Sequence, residues 1–374
     1  MPPARAFGNV LHRAHDRNDA PMTDAAAGTR AGPDFDTSRL EGWLEAHVAG
    51  FRGPVEVRRF SGGQSNPTYL LETPAARYVL RKKPPGTLLP SAHAVDREYR
   101  VIGALGREGS APVPAALALC TDDSVIGTMF YVMSCVDGRV FWDPRLPEVP
   151  RAARRAYAEA AVDALARVHA VDWRAAGLED FGKPAQYLER QISRWGKQYA
   201  ADEAAGRVPA MEKLIDWLGA NVPPGDDASV VHGDYRLDNV MFDPSGPRVR
   251  AILDWELATL GHPLADFTYY LMVYRLPTLA FPGLLGVDLE AEGLPGEAEV
   301  VETYCRRTGR DGIPALDYYM AFAMFRLAAI FHGIRGRVLR GTAASEKARE
   351  YARHVETLAD LGWAQAERAM RAGH

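Results

Sequence analysis

The chain has 374 residues, enough for two lobes each with its own core, and its 47% apolar and 25% charged content is that of an ordinary globular protein. With 44 Lys and Arg against 48 Asp and Glu, the net charge is −4, so no global basic field exists to collect nucleic acid or an anionic membrane. No run of about 18 apolar residues suggests a spanning helix or a signal sequence. The 3 cysteines are an odd count without a Cys-x-x-Cys pair, which argues against a disulfide framework or a cysteine zinc site and fits a reduced, cytoplasmic setting.

Residues 1–35 are rich in Ala, Pro, Asp and Arg without apolar period and read as a disordered leader. Asp16, Asp19 and Asp24 among the arginines fit a mitochondrial address poorly, and Met22 is an alternative start. Ser38-x-x-Glu41 predicts a capping box, opening a helix with Leu40, Trp43, Leu44 and Val48 on one stripe and Gly50 as its stop. Strand-like runs follow at 55–60, 68–72 and 78–82, then a helix over 92–106 and an apolar strand over 129–136. Asp137-Gly138 and the Pro-rich stretch 142–150 break the pattern, which places a lobe boundary there, between an N-terminal lobe at 36–137 and a C-terminal lobe at 138–374. Beyond it, helices are expected at 151–170, 185–200, 209–221, 262–275, 315–337 and 345–370. A short hairpin of strands at 240–242 and 249–253 interrupts them.

The most restrictive segment is His232-Gly233-Asp234-Tyr235-Arg236-Leu237-Asp238-Asn239, followed after that hairpin by Asp254. A hydroxyl attacking the γ-phosphate of ATP needs a carboxylate to accept its proton, and the triphosphate needs Mg²⁺ held by oxygen ligands. Asp234 fits the base, and Asn239 and Asp254 fit the metal ligands; the bland alternatives are a turn cap, an αL asparagine and a strand-end carboxylate. His232 is expected to shape the loop through a backbone carbonyl, and Asp266 to anchor backbone N–H groups. Arg236 and Asp238 either reach ligand or pair with each other. Upstream, Ser61, Gly62, Gly63, Ser65 and Asn66 form a loop between strands that can approach phosphate oxygens. Strand alternation puts Arg81 and Lys82 on opposite faces. Arg81 is the chosen phosphate cation, Lys82 or Lys83 the alternatives, and Glu98 its candidate partner.

Together these residues resemble the aminoglycoside phosphotransferase and choline kinase-like superfamily over about 36–370. They are most similar to the kinase-like domains associated with acyl-CoA dehydrogenases of the type 10 and 11 group. The resemblance implies an α+β, two-lobed protein-kinase-like fold, with a small β-rich N-lobe and a larger, mainly helical C-lobe. It implies ATP and Mg²⁺ as cofactors, Asp234 as base, Asn239 and Asp254 as metal ligands, and Arg81 in place of the usual ATP lysine, with Glu98 as its partner. It also makes the backbone of Met133, Ser134, Cys135 and Val136 the adenine-binding hinge.

Which hydroxyl is phosphorylated is less legible. The stretch 325–350 carries Arg326, Arg335, Arg337, Arg340, Lys347 and Arg349 against Glu346 and Glu350, a net of +4 that suits an anionic acceptor unless it is a solvated helix face. The branch resemblance points the same way, to a hydroxy acid or hydroxyacyl-CoA. The alternatives are an aminoglycoside acceptor and, from another class, a nucleotide-binding pseudokinase module. A protein kinase is disfavoured because no Ala-Pro-Glu follows Asp254. The expected partner is thus a small hydroxylated molecule, with no nucleic acid or membrane, for a monomer or homodimer.

Overall fold

The computed structural model describes residues 33–60, 66–84, 93–225, 227–343 and 345–373. Ser61, Gly62, Gly63 and Ser65 lie outside the described residues, as does most of the leader expected over 1–35. Asp34 and Phe35, placed in that leader, instead pack on the sheet: the Tyr69 hydroxyl donates to Asp34 at 2.8 Å, and Phe35 meets the Tyr69 ring edge-on at 5.1 Å.

β1 (Glu56–Arg59), β2 (Thr68–Glu72), β3 (Arg77–Lys82), β4 (Ala116–Cys120) and β5 (Phe130–Ser134) form a five-stranded antiparallel sheet in the order β1-β2-β3-β5-β4. The period-2 alternation of β3 divides its side chains between two layers. Tyr78 and Leu80 join Leu40 and Leu44 of the helix Thr37–His47 on one face. On the other lies the helix Val95–Glu108, which buries Glu98, Val101 and Leu105 and stops at Gly109, a left-handed residue with φ +84°. The cap of the first helix differs from expectation. Asp36, not Ser38, accepts the Ser38 and Arg39 N–H groups, and Glu41 accepts from Val55 N–H at 2.8 Å. A carboxylate at the N-cap satisfies these donors itself, so Glu41 is released to hold the following loop.

The larger part is helical. β8 (Val240–Phe242) and β9 (Val249–Ile252) form the expected hairpin, joined on its edge by β6 (Arg139–Val140). β7 (Ser229–Val231) pairs with β10 (Thr259–Gly261). β6, β7 and β10 were not foreseen, because two or three residues cannot display a period. The helix Leu316–Leu339 is the axis of this part, buried along nearly its whole length, with Val355–Arg371, Tyr187–Ala201 and Pro263–Leu271 packed around it. The helix expected over 345–370 is split into Glu346–Ala352 and Val355–Arg371. Arg335 explains the break: its Nε donates at 3.0 Å to the Ala352 carbonyl, which in a continuous helix would receive the Glu356 N–H, and its Nη1 holds the Glu356 carboxylate at 2.7 Å. The helix Glu297–Thr308 was also unforeseen.

On the central helix, burial holds the His332 imidazole below its ordinary 6.5. Its Nε2–H donates to the Gly206 carbonyl at 2.9 Å. Between the folded and unfolded pKa values the unfolded chain takes up a proton that the folded chain refuses, so this group contributes stability above 6.5 that is lost as pH falls. The drop in melting temperature between about pH 7 and pH 5 should therefore be smaller in His332→Gln than in the parent. An equal drop would remove His332 from the acid response.

Candidate catalytic site

β7 delivers the chain into His232-Gly233-Asp234, and its pairing with β10 sets this loop beside the helix Pro263–Leu271. Gly233 has φ +82°, and a Cβ there would lie 2.7 Å from the Leu257 carbonyl oxygen, so the turn admits only glycine. Asp266, as expected, holds the loop's N–H groups: its two oxygens accept from His232 at 2.7 Å and Gly233 at 2.9 Å. The His169 Nε2–H supports it at 3.3 Å, and the other His169 nitrogen shares a hydrogen bond with Tyr304. Burial pushes the Asp266 carboxyl up, yet these donors hold it below the usual value and keep it ionised. The His232 ring also behaves as expected. Its Nε2–H donates to the Leu253 carbonyl at 2.8 Å, its Nδ1 accepts from Asp234 N–H at 3.2 Å, and burial keeps it neutral.

Asp234 ends this scaffold, 4% exposed. Burial pushes its carboxyl up to about 7, against the nearby Arg236 guanidinium and with the Asp238 and Asp254 charges adding to the rise. That poises it as a proton acceptor near neutrality. Arg236 sits 3.6 Å from Asp234 Oδ1 and pairs with Asp238 at 2.5 Å, so the mutual pairing foreseen for these two is present. The Asn239 amide donates to the Asp234 carbonyl at 2.9 Å, leaving its own carbonyl oxygen directed away from that bond.

Arg81 is the cation the sheet turns inward. It meets Glu98 at 2.9 Å and Asp254 at 2.8 Å, and also Glu256 at 3.3 Å, which sequence reasoning missed. These carboxylates raise its pKa well above the ordinary value in spite of burial. Glu98 is held by Tyr131 at 3.2 Å and Asn66 at 2.7 Å, while burial lifts its carboxyl to about 6. Tyr131 was missed as well, since a tyrosine inside an apolar strand reads as packing. Lys82 turns to the opposite face, pairing with Asp34 at 2.9 Å over the Phe35 ring, and Lys83 lies 3.8 Å from Asp96.

Asn66 departs from its expected role. It is fully buried, with its amide on Glu98 and its carbonyl accepting from His93 at 3.0 Å, so it locks Glu98 instead of presenting donors to a phosphate. Met133 and Ser134 close β5, and the N–H groups of Ser134 and Cys135 are spent on the Ala115 and Arg77 carbonyls, with Val136 just beyond. A base read at this edge would use carbonyls or the Val136 end.

The cationic stretch 325–350 is not a free basic face. Arg326 is buried and donates to the Gly233 carbonyl, Arg335 holds Ala352 and Glu356, and Arg340 pairs with Asp202 at 2.6 Å. Its net charge therefore does not argue for an anionic acceptor, because these guanidiniums are structural. Asp254, two residues beyond β9, has φ +66°, and its carboxylate meets Arg81.

Residues 56–319 match the family model described as the phosphotransferase enzyme family. The chain belongs to that family. Acyl-CoA dehydrogenase family member 10 of Mus musculus is 44% identical over 327 residues, covering 87% of the chain but 30% of that protein. The chain spans less than half the length of such curated relatives. A solved structure from Ralstonia eutropha, a candidate aminoglycoside phosphotransferase, is 46% identical, covers 89% of this chain and 99% of its own, and superposes with a TM-score of 0.83. The aminoglycoside phosphotransferase APH(4)-Ia, in ternary complex with AMP-PNP and hygromycin B, shares the fold at 17% identity, covering 89% of this chain and 98% of its own, with a TM-score of 0.53. These neighbours establish the two-lobed kinase-like architecture, with its small antiparallel sheet and larger helical part. Among the described residues, no helix is long and apolar enough to cross a membrane.

Proposed function

We propose that the protein transfers the γ-phosphate of ATP to a hydroxyl of a small molecule. The observation that carries this reading is the meeting of Arg81 and Asp254 at 2.8 Å, from elements 173 residues apart, next to the anchored Asp234 loop. A cation and a carboxylate brought together in that setting suit a triphosphate with its metal. The complex of a fold neighbour with AMP-PNP supports ATP as the donor.

The donor set fits Mg²⁺. Among the described residues no three His, Cys, Asp or Glu side chains cluster into a cage, and Asn239 and Asp254 offer only hard oxygens. Mg²⁺ favours such a partial set, completed by phosphate and water. When bound, it would neutralise the phosphate oxygens. Arg81 would grip the phosphates, held in orientation by Glu98, which Asn66 and Tyr131 in turn fix. Asp234 would orient the acceptor hydroxyl and take its proton as the new O–P bond forms. The bond from the γ-phosphorus to the bridging oxygen breaks, and ADP leaves. Transfer is direct, so catalysis is mainly positioning and charge neutralisation.

For the acceptor we favour a hydroxy acid or hydroxyacyl-CoA, because a relative of high identity is named for acyl-CoA chemistry and carries the matching segment within a longer chain. The second reading, an aminoglycoside acceptor, is favoured by the description of the Ralstonia relative. ADP release measured across 4-hydroxyacyl-CoAs, free 4-hydroxy acids and kanamycin separates them. Turnover is expected on the hydroxyacyl compounds, and turnover restricted to kanamycin would reverse the assignment.

A further inference from the structure

The helix Val95–Glu108 carries Glu98, the carboxylate that holds Arg81, and the residue just before Glu98 fastens this helix to the helical part. The half-buried Arg97 donates from Nη2 to the Phe181 carbonyl at 2.6 Å, and its guanidinium lies 4.1 Å from the centre of the Phe181 ring. The same Nη2 reaches the Ala258 carbonyl at 3.5 Å, just past the turn Trp255–Leu257 that bears Glu256. One guanidinium thus ties together the helix of Glu98 and the turn of Glu256, both partners of Arg81.

What Arg97 grips is itself fixed. Phe181 is 1% exposed, and at Gly182 a Cβ would lie 2.4 Å from Thr259 Oγ1 and 2.8 Å from Leu260 N, so this segment sits flush on β10. β10 pairs with β7, which leads into the Asp234 loop. Arg100 makes a second tie, to Asp180 at 3.0 Å and to the Gly177 carbonyl at 2.8 Å, but both of those side chains are exposed, where an ion pair contributes little. Arg97 differs: it is a charged donor half withdrawn from water, bonded to a carbonyl and stacked on a ring. We propose that Arg97 is a positioning residue for the ATP grip: by fastening its helix to the Phe181 segment it keeps Glu98 on Arg81, and so fixes Arg81 relative to the Asp234 loop. The assignment rests on the phosphotransferase reading above, in which Arg81 grips phosphate.

The test is a double-mutant cycle on MgATP affinity, measured by calorimetry for the parent, Arg97→Met, Glu98→Gln and the double variant, with thermal melting alongside. Arg97→Met should raise the Kd for MgATP about tenfold in the parent background but less than about twofold beside Glu98→Gln, because the residue acts through Glu98. Arg97→Lys, which keeps the charge but not the planar fork, should fall between parent and Arg97→Met, and it carries the same cycle where Arg97→Met melts below the assay temperature. Arg100→Met should stay within about twofold of the parent. An unchanged Kd in Arg97→Met overturns the assignment. So does an equal loss in both backgrounds, which marks a general effect on packing between the sheet and the helical part. A parent that binds no MgATP removes the ATP donor from the proposed function, and this inference with it.

Discussion

Asp254→Ala is expected to lower Mg²⁺-dependent phosphoryl transfer by about 1,000-fold or more, a loss of roughly 4 kcal/mol of transition-state stabilisation. Asp254 is the carboxylate that β9 delivers to Arg81, and it is the one charged oxygen ligand in the proposed metal pair with Asn239. Without it, Arg81 still has Glu98 and Glu256, so the fold around the cation should survive. The left-handed backbone at φ +66° complicates alanine, because a non-glycine residue there costs about 1 kcal/mol or more that a short polar side chain partly offsets. Asp254→Asn is therefore the cleaner partner variant, keeping the turn while removing the charge. Kinetics over a Mg²⁺ titration in both variants distinguish the two effects. Near-parental turnover in either would contradict the metal assignment.

Asp266→Ala is expected to be the most destabilising substitution among the residues that hold the Asp234 loop, at about 3–5 kcal/mol, the range for breaking a buried charged network. One carboxylate accepts the His232 and Gly233 N–H groups and the His169 ring, all buried. Its removal leaves these donors dry and lets the Asp234 loop move, so turnover should fall together with stability. Urea unfolding of the variant measures the first effect directly. A midpoint equal to the parent's would show that the loop is held elsewhere, by Arg326 on the Gly233 carbonyl and His232 on Leu253.

The candidate site was legible where a residue's chemistry and its local spacing coincide. Asp234, Asn239 and Asp254 fall in one segment and its hairpin, and strand alternation alone separated Arg81 from Lys82. Asp266 and His232 were readable as anchors because a Gly-containing loop needs its N–H groups satisfied. Glu256 and Tyr131 were not, since their meaning depends on which neighbour the fold supplies. Glu256 becomes a partner of Arg81 only because the turn Trp255–Leu257 packs against the helix Val95–Glu108. The cationic stretch misled for the converse reason: Arg326, Arg335 and Arg340 look solvated in sequence but are tied to Gly233, Ala352 and Asp202. The split at Arg353-His354 left no glycine or proline to betray it, because a side chain from another helix makes it.

The central claim is that Asp234 accepts the proton of a small-molecule hydroxyl during direct transfer from ATP. Its most direct test follows labelled γ-phosphate from ATP into the hydroxyacyl panel, with the parent and Asp234→Asn side by side. The account predicts label in the acceptor for the parent and a fall of about 1,000-fold in the variant, with MgATP binding and melting temperature retained. Equal acceptor-dependent transfer by both proteins would contradict it.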